Sequence, residues 1–239
     1  MNPYRYRAIT MADHDIINPL SPEKLRRLID YLRPADGERE LDVGCGKGGL
    51  LAEFAADRRI EATGLELNPA FAALARRALG GAGRIVDGLA LDFAHEPGTF
   101  DIALCIGATF ALDGLEGSID WLARAVRGGG RVAIGEPFAL RPFAPEVAAR
   151  WPEYDRTAAD IAELIGARGL ALTGLVASSD EDWDRYEGLQ WRAGVTWLRA
   201  HPDDPDAGWL AEKIAEERRR YLAEERGCLG WAVFVAEKP

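Results

Sequence analysis

Cysteine is scarce in this chain: three in 239 residues, Cys45, Cys105 and Cys228, lie far apart and without metal-ligand spacing. Neither a disulfide framework nor a cysteine metal centre is expected, and a reduced cytoplasm with free, mostly buried thiols fits them. Long apolar runs are missing too, so no bilayer span is expected. The opening stretch "MNPYRYRAITMADHD" has no apolar core of a signal peptide. Positive charge is in deficit: the formal net charge is −10 and the pI about 4.9. Such a balance argues against a nucleic-acid partner, whose phosphates need a basic face. Arginines do cluster at Arg76–Arg77 and Arg218–Arg220, at helical positions read as solvated faces. Low-complexity tracts and internal repeats are absent.

What is present is a globular composition, 48% hydrophobic, in a chain long enough for one large α/β domain. Helix and strand patterns alternate from residue 20 to about 180. "SPEKLRRLIDYL" (21–32) opens with a capping Ser21 and Pro22 at the first helical position. Strands are expected at 38–44, 61–67, 83–88, 100–107, 131–137 and 171–179, and helices at 49–59, 69–80, 115–130 and 158–170. The helix over 115–130 is read as stopping at its glycines. Short connections between alternating elements predict a doubly wound, mostly parallel sheet with helices on both faces. An aromatic-rich helix (180–200), a turn (202–206), a charged amphipathic helix (207–225) and a last strand (229–238) follow. The reading is one domain over 1–239, with 180–226 as a helical insertion and the last strand returning to the sheet.

"LDVGCGKGG" (41–49) spells G-x-G-x-x-G after a strand and before a helix. A strand, a glycine turn and a helix make a nucleotide site whatever the ligand. Glu66 ends the second strand, twenty residues after Gly46, where a carboxylate can accept both ribose hydroxyls. Asp42 separates the possible cofactors. A pyrophosphate resting on a helix N-terminus is repelled by an adjacent carboxylate. A cationic amino group and a sulfonium, as in S-adenosyl-L-methionine, are attracted by one.

"LDVGCGKGG", "GLELNP" (64–69) and "FDIALCIGA" (100–108) resemble the successive motifs of the class I S-adenosylmethionine-dependent methyltransferases. The resemblance runs from about residue 18 to 137. It implies a seven-stranded, Rossmann-like sheet whose last strand is antiparallel. It also implies that Asp42, Gly44, Cys45 and Gly46 surround the methionine part, that Glu66 holds the ribose, and that Leu67 or Asn68 lies beside the adenine. Cys105, Ile106 and Gly107 are placed next to the cofactor. One departure stands out: Leu89 occupies the place after the third strand where members often carry an acid. The adenine amino group is then left to the backbone of Leu89 or Ala90, or to Asp87 or Asp92 on a shifted loop.

The implied chemistry is methyl transfer to a small-molecule acceptor by direct displacement, where alignment supplies most of the catalysis. A base is needed only if the acceptor must lose a proton. Glu136, ending the fifth strand in "GEPF", and His14, before the first helix of the alternating pattern, are the candidates. In this family an N-terminal segment, here residues 1–20, often folds over the site. Trp183, Tyr186, Trp191 and Trp197 either line an acceptor pocket or pin the insertion to the body. The Asn/Asp/Ser-Pro-Pro-aromatic motif of base and amide methyltransferases is absent after the fourth strand. "W…Y…W", "GEPF" and "NPLSPEKL" resemble a group of bacterial small-molecule methyltransferases. Two alternatives stay open: an NAD(P)-dependent oxidoreductase, for which no Tyr-x-x-x-Lys pair is present, and a non-catalytic S-adenosylmethionine-binding protein. No metal ligands are expected, and the oligomeric state is not legible.

Overall fold

A computed structural model describes residues 1–56, 59–149 and 156–239. In chain order its elements are α1 (Pro3–Thr10), α2 (Pro22–Leu32), β1 (Arg39–Val43), α3 (Gly49–Ala56), β2 (Glu61–Glu66), α4 (Pro69–Leu79), β3 (Gly83–Asp87), β4 (Phe100–Ile106) and α5 (Gly114–Ala125). Then follow β5 (Val126–Ala139), α6 (Pro145–Ala148), α7 (Ala158–Ala167), β6 (Ala171–Ala177), α8 (Asp180–Ala200), α9 (Ala207–Arg220) and β7 (Leu229–Glu237). The expected helix over 49–59 is observed to Ala56; residues 57 and 58 lie outside the described residues.

The seven strands form one sheet in the order β3-β2-β1-β4-β5-β7-β6. β1 to β5 pair in parallel, while β7 runs antiparallel between β5 and β6. Two apolar layers clamp the sheet. One joins Val43, Phe100, Ile119 and Leu122 to Ile161 and Phe234. The other joins Leu28, Leu32 and Phe54 to Leu104, Val233 and Val235. Strands buried on both faces read as continuous apolar runs, which is why "FDIALCIG" is legible as one. A third cluster, Tyr6, Ile9, Leu210 and Ile214, packs α1 onto α9 away from the sheet. Among the described residues no helix is long and apolar enough to cross a membrane.

Local signals place most boundaries. Ser21 Oγ accepts the Lys24 amide at the start of α2, and Asn68 Oδ1 accepts the Ala70 amide at the start of α4. Gly80 closes α4 in the left-handed region (φ +55°). The glycines at 128–130 do not end α5. That helix stops at Ala125, and buried Val126 already pairs with Phe100. The glycines fall in an irregular stretch of β5 before Arg131 pairs with Ile102. Lys238 Nζ, from the far end of the chain, donates to the Ala123 and Val126 carbonyls there, a helix stop no local sequence signal contains. Helix α1 was not expected from the sequence.

Candidate functional site

The strand order reverses direction between β1 and β4, and open α/β sheets bind ligands beyond the strand ends at such a point. A cavity of about 650 Å³ opens there. Its floor comes from the ends of β1, β2 and β4. One wall is the segment from Pro3 to Leu20, and the other brings Trp183 and Tyr186 from α8 and Trp231 from β7.

Gly44 and Gly46 turn the chain out of β1 with φ of +72° and +56°, a region a side chain rarely tolerates. The Gly44 and Cys45 amides both donate to the Leu65 carbonyl, which folds the turn against β2. Glu66 closes the arrangement: its carboxylate accepts the Gly46 amide at 2.9 Å and the Asn68 amide at 2.7 Å. Desolvation raises the Glu66 pKa while those amides and that of Leu67 pull it down. A carboxylate offers about four lone-pair positions, so acceptors remain for a diol.

Asp42 lies on the cavity floor, 4% exposed, and among the described residues no donor reaches its carboxyl. Desolvation, and then the nearby charge of Glu66, push it up to about 8. Glu40, two residues earlier on the same face of β1, is fully buried with neither oxygen bonded. Burial, then Asp42, hold its pKa far above the ordinary value.

The cavity gathers Asp42, Gly44, Cys45, Gly46, Glu66, Leu67, Asn68, Leu89, Ala90, Ile106 and Gly107. It does not gather three other sequence candidates. Cys105 is fully buried, facing the α5 layer, and desolvation lifts its thiol to about 12. Glu136 alternates with cavity-lining Pro137, so it faces the other side of the sheet, where Thr109 donates to it at 2.9 Å. Burial pushes its carboxyl up to about 7. His14 is buried against Tyr186: its Nε2 donates to the Tyr186 carbonyl at 2.9 Å, and desolvation lowers its pKa. At the rim, Leu67, Leu89, Leu91 and Phe110 expose large apolar surfaces toward the cavity. Asp87 is held by Arg76 at 2.6 Å, and neither it nor Asp92 lines the cavity.

The aromatic helix divides its rings between the two roles considered. Trp183 and Tyr186 line the cavity, whereas Trp191 and Trp197 pack on the cluster joining α1 to α9. Sequence reasoning missed Trp231, Pro137, Phe110 and Lys47. Trp231 reaches the site only because β7 inserts beside β5, opposite Pro137. Lys47 lines the cavity, and its Nζ reaches the N-terminal segment, donating to the carbonyls of Met11 (2.6 Å), Ala12 (2.9 Å) and His14 (2.7 Å).

These features define the class first: a doubly wound α/β protein with a nucleoside crevice whose floor is acidic. Such a floor suits a cationic nucleoside and opposes a phosphorylated one. Comparison with known proteins narrows it. A family model described as a methyltransferase domain matches residues 41–134. The uncharacterized protein YjhP of Escherichia coli (strain K12) is 33% identical over 246 aligned residues, 97% of each chain. An S-adenosylmethionine-dependent methyltransferase from Geobacter sulfurreducens, solved with S-adenosyl-L-homocysteine, superposes with a TM-score of 0.90 at 33% identity over 98% of both chains. One from Thiobacillus denitrificans, solved with the same product, gives 0.90 at 31% identity over the whole of both. The chain belongs to the class I S-adenosylmethionine-dependent methyltransferases, and the nicotinamide alternative falls away.

The residues present fit that family's cofactor. The unpartnered Asp42 carboxyl matches an ammonium, the free lone pairs of Glu66 match a ribose diol, and the apolar rim at Leu67 and Leu89 matches a purine face. Bound there, S-adenosylmethionine supplies a methyl carbon activated by sulfonium.

Proposed function

We infer that the chain methylates a small, largely apolar acceptor held between the sheet ends, the N-terminal segment and α8. The observation that carries the reading is the cavity itself. It is walled on that side by Trp183, Tyr186, Trp231, Phe110 and Pro137, and its volume of about 650 Å³ lies within the usual range of small-molecule sites. Elements from both ends of the chain close over it, which suits a metabolite better than a polymer. The net charge of −10 weighs the same way against nucleic acid.

In this reading Asp42 would hold the cofactor's ammonium and Glu66 its ribose, so the nucleoside would be anchored at two points. The aromatic wall excludes water and orients the acceptor, whose lone pair forms the new bond as the carbon–sulfur bond breaks. Alignment of this kind supplies about 7–11 kcal/mol in favourable systems. The reading assigns proton removal to neither Glu136 nor His14, since neither lines the cavity. Three free cysteines accord with a reducing, cytoplasmic setting.

The test is transfer from cofactor labelled in its methyl group to a cell extract split by size. Label in the metabolite fraction is the expected result. Label confined to protein or nucleic acid would overturn the reading.

A further inference from the structure

The glycine loop also meets the N-terminal segment at the edge of the cavity, through Lys47. Lys47 sits between Gly46 and Gly48, both at positive φ (+56° and +78°), so the turn fixes where its side chain leaves. Its ammonium has three N–H groups, and three carbonyls, those of Met11, Ala12 and His14, take them. Met11 caps α1, so a cation meets a helix C-terminus, where the dipole favours it.

Close approaches seat the same segment on the site. A Cβ on Gly49 would stand 2.7 Å from the Asp15 carbonyl oxygen, and one on Gly46 would stand 3.2 Å from Ile17 Cδ1. A Cβ on Gly107 would stand 2.4 Å from Asn18 Oδ1. Each of these glycines gives way to residues 15–18 of the chain itself. The segment then forms the cavity wall, with Tyr4 and Arg7 before it and Ile16 to Leu20 along it. Other ties bind it to the helical insertion: Arg5 to Asp204 (2.6 Å), Asp13 to Arg192 (2.7 Å) and His14 to the Tyr186 carbonyl. Lys47 is therefore the charged link between that assembly and the loop that carries the cofactor.

We propose that Lys47 is a positioning residue, pinning the N-terminal segment to the glycine loop so that the acceptor wall and the cofactor loop keep one geometry. The proposal rests on the reading of the cavity as a joint cofactor and acceptor site. Methionine keeps the length of the stem but removes every donor. Arginine keeps the charge, but its planar fork does not converge on three carbonyls as a compact ammonium does.

Hydrogen exchange of the full chain saturated with S-adenosyl-L-homocysteine tests it, comparing wild type with Lys47→Met and Lys47→Arg. In Lys47→Met the amides of residues 11–18 exchange at least about tenfold faster, while those of β1 and α3 keep their rates. Dissociation of the product, followed by tryptophan fluorescence, speeds up at least about fivefold, a change that a residue serving only the fold would not make selectively. Lys47→Arg falls between, and it carries the test if Lys47→Met does not fold. Unchanged exchange in 11–18, or equal loosening of β1 and α3, overturns the proposal. Failure of the wild type to bind the product overturns instead the reading beneath it, and the same exchange comparison on the unliganded chain still decides the pin.

Discussion

Lowering the pH from 7.5 to 6 weakens binding of S-adenosyl-L-homocysteine by about twentyfold, and Asp42→Asn removes that dependence. The reasoning starts from the unpartnered carboxyl on the cavity floor, which desolvation and Glu66 push up to about 8. An ammonium placed beside it favours the ionised form, so binding expels the proton. With the free group at about 8, roughly 100 protonated sites stand against each ionised one at pH 6, and roughly 3 at pH 7.5. The ratio of the two penalties is about twentyfold, a slope approaching one decade per pH unit. The ligand's own amino group, kept protonated by its adjacent carboxylate, stays an ammonium across that range. Glu40, beside Asp42 on β1, is likewise held well above its ordinary value by burial and then by Asp42. Glu66 meets uncharged hydroxyls, so it adds little slope. Calorimetry at several pH values in buffers of different ionisation enthalpy reads both the slope and the released proton. A flat wild-type profile, or an equal slope in Asp42→Asn, would show that this carboxyl does not face the ammonium.

Glu66→Ala weakens the same ligand by about 1.5–3 kcal/mol per charge-assisted bond lost, roughly 10- to 150-fold, measured by calorimetry. An unchanged affinity would remove Glu66 from the pocket. Glu40→Leu stabilises the fold by about 1–3 kcal/mol, because it deletes a buried carboxyl with neither oxygen bonded. The folded state holds the Glu40 proton above the ordinary value of 4.5 and the unfolded state does not, so wild-type stability falls as pH rises through that region. Urea unfolding of Glu40→Leu shows that fall reduced by about one proton, and an unaltered slope would mean Glu40 is not the group. Leu89→Asp restores an acid at the adenine rim and tightens product binding by about 0.5–1.5 kcal/mol, or 2- to 12-fold. Weaker binding would place the adenine elsewhere.

The strand-turn-helix at 39–56 was legible because its signals are local. Apolar runs mark strands buried on both faces, and glycines mark a turn only they can make. Asp42 stood out because an acid inside an apolar strand has a solvation cost that needs a reason. The end of α5 was misread for the opposite cause: the glycines at 128–130 look like a stop, but Phe100 and Lys238, remote in sequence, set the boundary. Glu136 and Cys105 end up off the cavity because strand alternation and a neighbour's packing decide which face a residue meets, and a one-residue difference reverses it.

By itself the sequence determined the alternating architecture, the cofactor class and the floor of the crevice, since all three follow from short-range pattern and from charge near one turn. Only the tertiary structure decided what else walls the cavity. Trp231 arrives by insertion of β7 between β5 and β6, Trp183 and Tyr186 come from α8, and the N-terminal segment accepts hydrogen bonds from Lys47. Those contacts join residues tens to hundreds of positions apart. Their geometry follows from packing that no local stretch encodes.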